Sequence, residues 1–272
     1  MRSCEVARKV VYAHARTSID AKCHETSSPD ESKKKLRAET TINASAREFM
    51  SMKVTATLST RSHFSWHHLF AACRLSARIG EVERENEGRE FGSFWEEILQ
   101  SALGVATLSV ACLECYANEL YFEGAAIAEK LNPTATALVG DLIDNASILR
   151  KYEAALAIRR GKSLDYGCVA VQNADALIKL RNAVIHFRPE WSNAQVNHDR
   201  LSKILMYKFR PSPFLPETEP LFPLSWASHD FAKWALKSTV VFLEHFYAEA
   251  EITSPLHIEN KRQLSAMSAG AI

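Results

Sequence analysis

An all-α domain, a bundle of five or six helices behind a disordered N-terminal extension, is the fold class this sequence predicts. Three observations predict it. Gly and Pro number only 9 each in 272 residues, fewer turn formers than an all-β chain of this size needs. The composition, 47% hydrophobic and 24% charged, is that of a globular protein. Beyond position 62 the apolar residues recur at helical spacing, without sustained strand-like alternation.

Residues 1–62 carry few large apolar side chains and no period. The run Ser27-Ser28-Pro29-Asp30-Glu31-Ser32-Lys33-Lys34-Lys35 is polar and charge-rich, and such a segment buries too little surface to offset its ordering entropy. It reads as a disordered basic extension. Met50 and Met52 stand just before the periodic part, which makes them candidate translation starts.

Helical periodicity begins near Phe64. Phe64, Trp66, Leu69, Phe70, Cys73, Leu75 and Ile79 form the first stripe, and Gly80 with the acidic run Glu81 to Glu90 predicts its break or frayed end. A long helix is expected from Phe91 to Glu123. Its middle is apolar nearly all round, which marks a central helix buried on several sides. Asn132-Pro133-Thr134 reads as a turn and cap. A single helix is expected from Ala135 to Arg160, closed by Gly161. Two more follow, Cys168 to Phe187, ending before Pro189, and Ala194 to Lys208. Five prolines between Arg210 and Pro223 dictate an extended connector. The last helix is expected from Ser225 to Ala250. The resulting division is an extension over 1–62, a helical domain over 63–252 and a flexible tail over 253–272.

Several classes are disfavoured. Residues 1–62 hold 12 Lys/Arg against 7 Asp/Glu, and the remainder 21 against 25. The folded part is therefore mildly acidic and lacks the broad basic face that non-specific nucleic-acid binding uses. The stretch from Ala102 to Leu113 is too short for a membrane span, and no secretory signal is visible. The cysteines, Cys4, Cys23, Cys73, Cys112, Cys115 and Cys168, show no disulfide framework and fit a reducing cytoplasm. Cys112-x-x-Cys115 lacks the second ligand pair of a structural zinc site, so both read as core residues. His63, His67 and His68 read as rim positions rather than metal ligands.

The informative segment is Ala174-Asp175-Ala176-Leu177-Ile178-Lys179-Leu180-Arg181-Asn182-Ala183-Val184-Ile185-His186-Phe187. Asn182 and His186 are four apart and share a helix face. Arg181 and His186 lie about 140° apart at about 100° per residue, an angle a long guanidinium can swing back over. Together they suit metal-independent RNA cleavage. A histidine titrates near neutral pH and can exchange the ribose 2′-OH proton. An arginine fork fits the phosphate oxygens on which charge builds. Asn182 can orient either. No metal and no cofactor is required. A second cluster, Arg150, Lys151, Arg159, Arg160 and Lys162, reads either as an RNA-phosphate patch or as a solvated helix end whose cations suit the dipole.

Arg181-Asn182-x-x-x-His186, at the end of the helix written LIKLRNAVIHF, resembles the signature of HEPN domains. The upstream helix containing SVACLECYANEL resembles the long central helix of one HEPN-like group, with Glu114 and Asn118 at the matching positions. The resemblance spans residues 64–250. It implies a helical bundle that dimerises so that two motif helices face one another across a composite cleft. It further implies a metal-independent endoribonuclease of a toxin–antitoxin or defence system, or else a binding module that keeps the fold without the chemistry. Arg181 and His186 would be catalytic, Asn182 a supporting polar group, and Glu114 and Asn118 structural or supporting. A separately encoded antitoxin or effector partner is also implied. The competing reading is structural: Arg181 paired with Glu114 or Glu119, and His186 placed by the helix dipole.

Overall fold

The computed structural model describes residues 63–122, 126–191 and 196–269. The expectations placed on residues 1–62, including the translation start at Met50 or Met52, lie outside them. Among the described residues the chain forms eight α-helices and no strand: α1 (Ser65–Glu85), α2 (Phe94–Glu119), α3 (Pro133–Asp144), α4 (Ile148–Arg160), α5 (Val169–Ile185), α6 (Val196–Leu205), α7 (His229–Ala250) and α8 (Pro255–Ala269).

α2 is the central helix the sequence predicts. It packs against α1, α4, α5 and α7, and Ile98, Ala102, Val105, Ala106, Val110, Leu113 and Ala117 are fully buried along it. By length and composition it is, among the described residues, the one helix apolar enough to cross a membrane; here it forms the core of the bundle. Phe231, Phe242, Leu243 and Phe246 of α7 and Leu177 and Leu180 of α5 close the core around it.

Three features depart from the sequence reading. Gly80 does not break α1, which continues through it to Glu85. A side chain there would meet the His229 ring at 2.6 Å, so the glycine exists to let the start of α7 approach. The helix expected over Ala135–Arg160 is two helices. Asn145, Ala146 and Ser147 separate them: Asn145 ends α3 with its backbone N–H on Ile143 O, and Ser147 is extended as the cap residue of α4. The tail expected to be loose from 253 carries α8, which packs on α1. Its His257 is buried against Trp66 and Tyr247, with ring centroids at 5.2 and 4.1 Å.

The caps follow the expected chemistry. The Asn132 side chain accepts from Ala135 N at 2.8 Å with proline in the first turn of α3. Ser228 accepts from Phe231 N at 3.1 Å at the start of α7. Gly161 ends α4 in the left-handed region at φ 66°. The proline-rich connector after α6 makes only a short turn over Leu221–Ser225, which plugs Phe222 into the core beneath α6.

Candidate functional site

α5 carries the motif. Leu177 and Leu180 anchor it in the core, while Lys179, Asn182 and His186 lie on its solvent stripe. The helix closes at His186, whose backbone N–H donates to Asn182 O at 2.9 Å. Pro189 follows three residues later and cannot continue it.

The structure separates the three motif residues. Arg181 sits on the α2 flank of α5 and donates from one terminal nitrogen to Glu114 Oε2 at 3.3 Å. Its side chain is 18% exposed and that of Glu114 45%, so this is a half-buried ion pair. Asn182 and His186 are exposed. His186 turns to the opposite side and lines a groove between α5 and α6 whose lining does not include Arg181. The swing of the guanidinium toward His186 that the spacing permits is therefore not the conformation adopted. Glu119, the other carboxylate considered for Arg181, instead caps α1: it accepts from Phe64 N, Ser65 N and Ser65 Oγ at 3.0, 3.1 and 2.9 Å and meets His63 Nδ1 at 3.2 Å. Asn118 accepts from Lys151 Nζ at 2.8 Å. Glu114 and Asn118, one turn apart on α2, thus tie it to α5 and α4.

Two residues of the expected phosphate patch are spent inside the fold. Lys151 is buried, 3% exposed, with its ammonium on Asn118. Arg159 spreads its guanidinium over three backbone carbonyls, those of Ala250 at 2.6 Å, Ala126 at 2.9 Å and Glu251 at 3.0 Å. Arg160 pairs with Glu251, Lys162 with Glu249, and Arg150 with Glu153. Arg150 and Lys162 stay exposed in their ion pairs, and Arg159 and Arg160 tie the end of α4 to Ala250 and Glu251 at the end of α7.

The α5–α6 groove, about 390 Å³, is the feature the sequence reading missed. Three cations line it: Lys179, Arg188 and Arg200. Lys179 pairs with Asp175 one turn back. Arg188 and Arg200 are exposed and have no carboxylate partner among the described residues. The groove's own carboxylate, Glu190, is consumed in capping α6, where it accepts from the backbone N–H groups of Asn197 and His198 at 3.2 Å each and from the Asn197 side chain. Phe187 forms one wall and is 46% exposed. Its ring stacks on His198, with centroids 5.5 Å apart and planes at 23°.

His198 is 6% exposed and makes an edge contact with Phe222 at 5.1 Å. Its Nε2 lies 3.1 Å from Arg188 O. A carbonyl only accepts, so Nε2 is the protonated nitrogen, and Nδ1 is buried with no partner among the described residues. One signal could have found this residue. His198, Leu201 and Leu205 fall at the three- and four-residue steps that define the buried face of α6, which places a histidine where a hydrophobe is expected.

Among the described residues no cluster of three His, Cys, Asp or Glu is placed to hold a metal. Cys112 is buried in α2 and Cys115 partly so, and desolvation pushes both thiols up, away from the reactive thiolate. In comparisons with protein-family models, curated proteins and solved structures, none matches this chain.

Proposed function

We propose that this chain is a metal-independent endoribonuclease of the HEPN type, working as a homodimer, with His186 as the proton-transfer group. The observation that carries the reading is the position of His186: solvent-exposed, at the end of α5, on a groove whose two guanidiniums, Arg188 and Arg200, have no carboxylate partner among the described residues. His186 takes the proton of a ribose 2′-OH, the freed oxygen attacks the adjacent phosphorus, and the 5′-oxygen leaves and collects a proton. The products are a 2′,3′-cyclic phosphate and a 5′-hydroxyl. Fixed positive charge beside the phosphorus stabilises the transition state in the way a preorganised donor does.

Arg181 enters from a second copy in this reading. Held by Glu114 on the α2 flank, it keeps nitrogens without a partner among the described residues. The stripe through Asn182, half-exposed Ile185 and His186 is the face on which two α5 helices meet. A cytoplasmic toxin or defence nuclease with a separately encoded antitoxin or effector is the setting this chemistry suits.

One observation favours a second reading. The Arg181–Glu114 pair, with the basic end of α4 committed to α7, suits a non-catalytic helical interaction module in which the motif serves stability. The two separate in one experiment: RNA cleavage in EDTA by wild type, Arg181→Ala and His186→Ala, with the product ends mapped. The enzyme reading expects cyclic-phosphate ends from wild type and their loss in both variants. Equal cleavage by all three, or none by wild type, removes it.

A further inference from the structure

We infer that the α5–α6 groove contains a nucleobase-stacking subsite, built by Phe187 on a His198 base and flanked by Arg188 and Arg200, that binds an unpaired nucleotide of single-stranded RNA. The inference rests on the ribonuclease reading for its occupant, but not on cleavage.

A large aromatic side chain left 46% exposed at the end of a packed helix loses the burial that such a ring normally gains. Phe187 is nevertheless held in a defined pose. The His198 ring lies parallel beneath it, and Phe222 packs against both at 6.1 and 5.1 Å. His198 is in turn fixed by the Arg188 carbonyl at 3.1 Å. That arrangement has a cost: Nδ1 of His198 is buried with no partner among the described residues, whereas a hydrophobe at that position would leave no polar atom unmet. The polar ring is retained where its other nitrogen ties the platform to the segment that carries Arg188.

The charge around the ring selects the occupant. Among the described residues Arg188 and Arg200 line the same groove without an ion-pair partner, and the one carboxylate in its lining, Glu190, is held by the backbone N–H groups of the α6 N-terminus and keeps its negative charge, so the three cations of the lining outnumber it. A planar apolar surface beside two guanidiniums that pair with no carboxylate among the described residues matches a base and its phosphates. In single-strand recognition, aromatic stacking supplies sequence-tolerant affinity while arginine tracks the backbone. A paired base has its faces covered, so the subsite takes unpaired nucleotides.

The probe is a fluorescein-labelled octamer of 2′-deoxyuridine, whose missing 2′-OH prevents the proposed cleavage, bound to the full chain in EDTA at low salt and followed by anisotropy. Phe187→Ala should weaken binding about 5- to 150-fold at a temperature well below its own melting transition, and Phe187→Trp should restore it. Arg188→Gln and Arg200→Gln should each weaken binding and flatten its salt dependence by about 0.7 of a log unit per log unit of salt. A duplex of the same length should bind more weakly, and poly-glutamate should not compete at equal charge. No binding by wild type, a Phe187→Ala affinity equal to wild type, duplex binding as tight as the single strand, or equal competition by poly-glutamate would each overturn the subsite. Octamer binding that depends on Phe187, in a protein that cleaves nothing, sinks the enzyme reading and leaves the subsite. His186-dependent cleavage that is indifferent to Phe187 does the reverse.

Discussion

Replacing Arg159 by alanine should lower stability and leave nucleic-acid affinity alone. The last four carbonyls of any helix lack an intrahelical donor. At the end of α7, Glu251 turns into the left-handed region at φ 50°, and the Arg159 guanidinium donates to Ala250 O at 2.6 Å and Glu251 O at 3.0 Å, along with Ala126 O at 2.9 Å. A hydrogen bond to a charged group contributes about 1.5–3 kcal/mol net. Glu251 is exposed and its carbonyl can rehydrate, so the full triple is not lost, and about 2–4 kcal/mol is expected for Arg159→Ala. In a domain of this size each kcal/mol moves the melting temperature by about 2–4 °C, which gives a fall of about 4–16 °C. Arg159→Lys keeps the charge without the planar fork and should recover less than half of that. Thermal and urea unfolding followed by circular dichroism measure the loss, and octamer anisotropy well below the transition measures affinity. A melting temperature within about 1 °C of wild type, with weakened octamer binding, would refute the reasoning and restore Arg159 as a phosphate contact.

Two further predictions concern packing and pH. Gly80→Ala gains about 1 kcal/mol of helix propensity but sets a Cβ at 2.6 Å from the His229 ring, and overpacking of that kind costs about 1–3 kcal/mol. It should destabilise the wild type by about 1 kcal/mol yet stabilise the His229→Ala background, as a double-mutant cycle in urea would show. Burial lowers the pKa of both His257 and His229 below the ordinary 6.5. The folded state therefore holds these rings neutral, and the stability they contribute is complete above pH 6.5 and lost as pH falls through the depressed values. Melting temperature should drop from pH 7 toward pH 5, and His257→Phe, which also removes the unpartnered Nδ1, should flatten the share due to α8 docking while leaving that of His229.

The helical architecture was legible because its signals are local. The period of α2, the Asn132-Pro133 cap and the Gly161 stop each depend on a few neighbouring residues. What misled was information held elsewhere in the chain. Gly80 reads as a breaker until His229, far along the sequence, is placed against it. The stretch 253–269 reads as loose because its apolar content is thin, yet it finds a seat for His257 between Trp66 and Tyr247. Asn145-Ala146-Ser147 is the one miss that local chemistry could have corrected, since two of its three residues are ordinary capping residues.

The site shows the same division more sharply. Helical spacing predicts Asn182 and His186 on one face, both of which are exposed, and it also places Arg181 about 140° from His186. Which way a guanidinium swings over that angle depends on what stands across from it, and Glu114 on α2 settles it toward the core. Basic residues followed the same logic. Arg150, Lys151, Arg159, Arg160 and Lys162 cluster in sequence and are all matched by partners in the fold, whereas Arg188 and Arg200, twelve positions apart and inconspicuous in sequence, have no carboxylate partner among the described residues and share a groove. Charge density along a chain measures how many cations a segment carries. Free charge available to a phosphate is what remains after the protein's own carbonyls and carboxylates have taken their share, and Arg188 and Arg200, two of the cations left over among the described residues, lie in the groove that His186 lines.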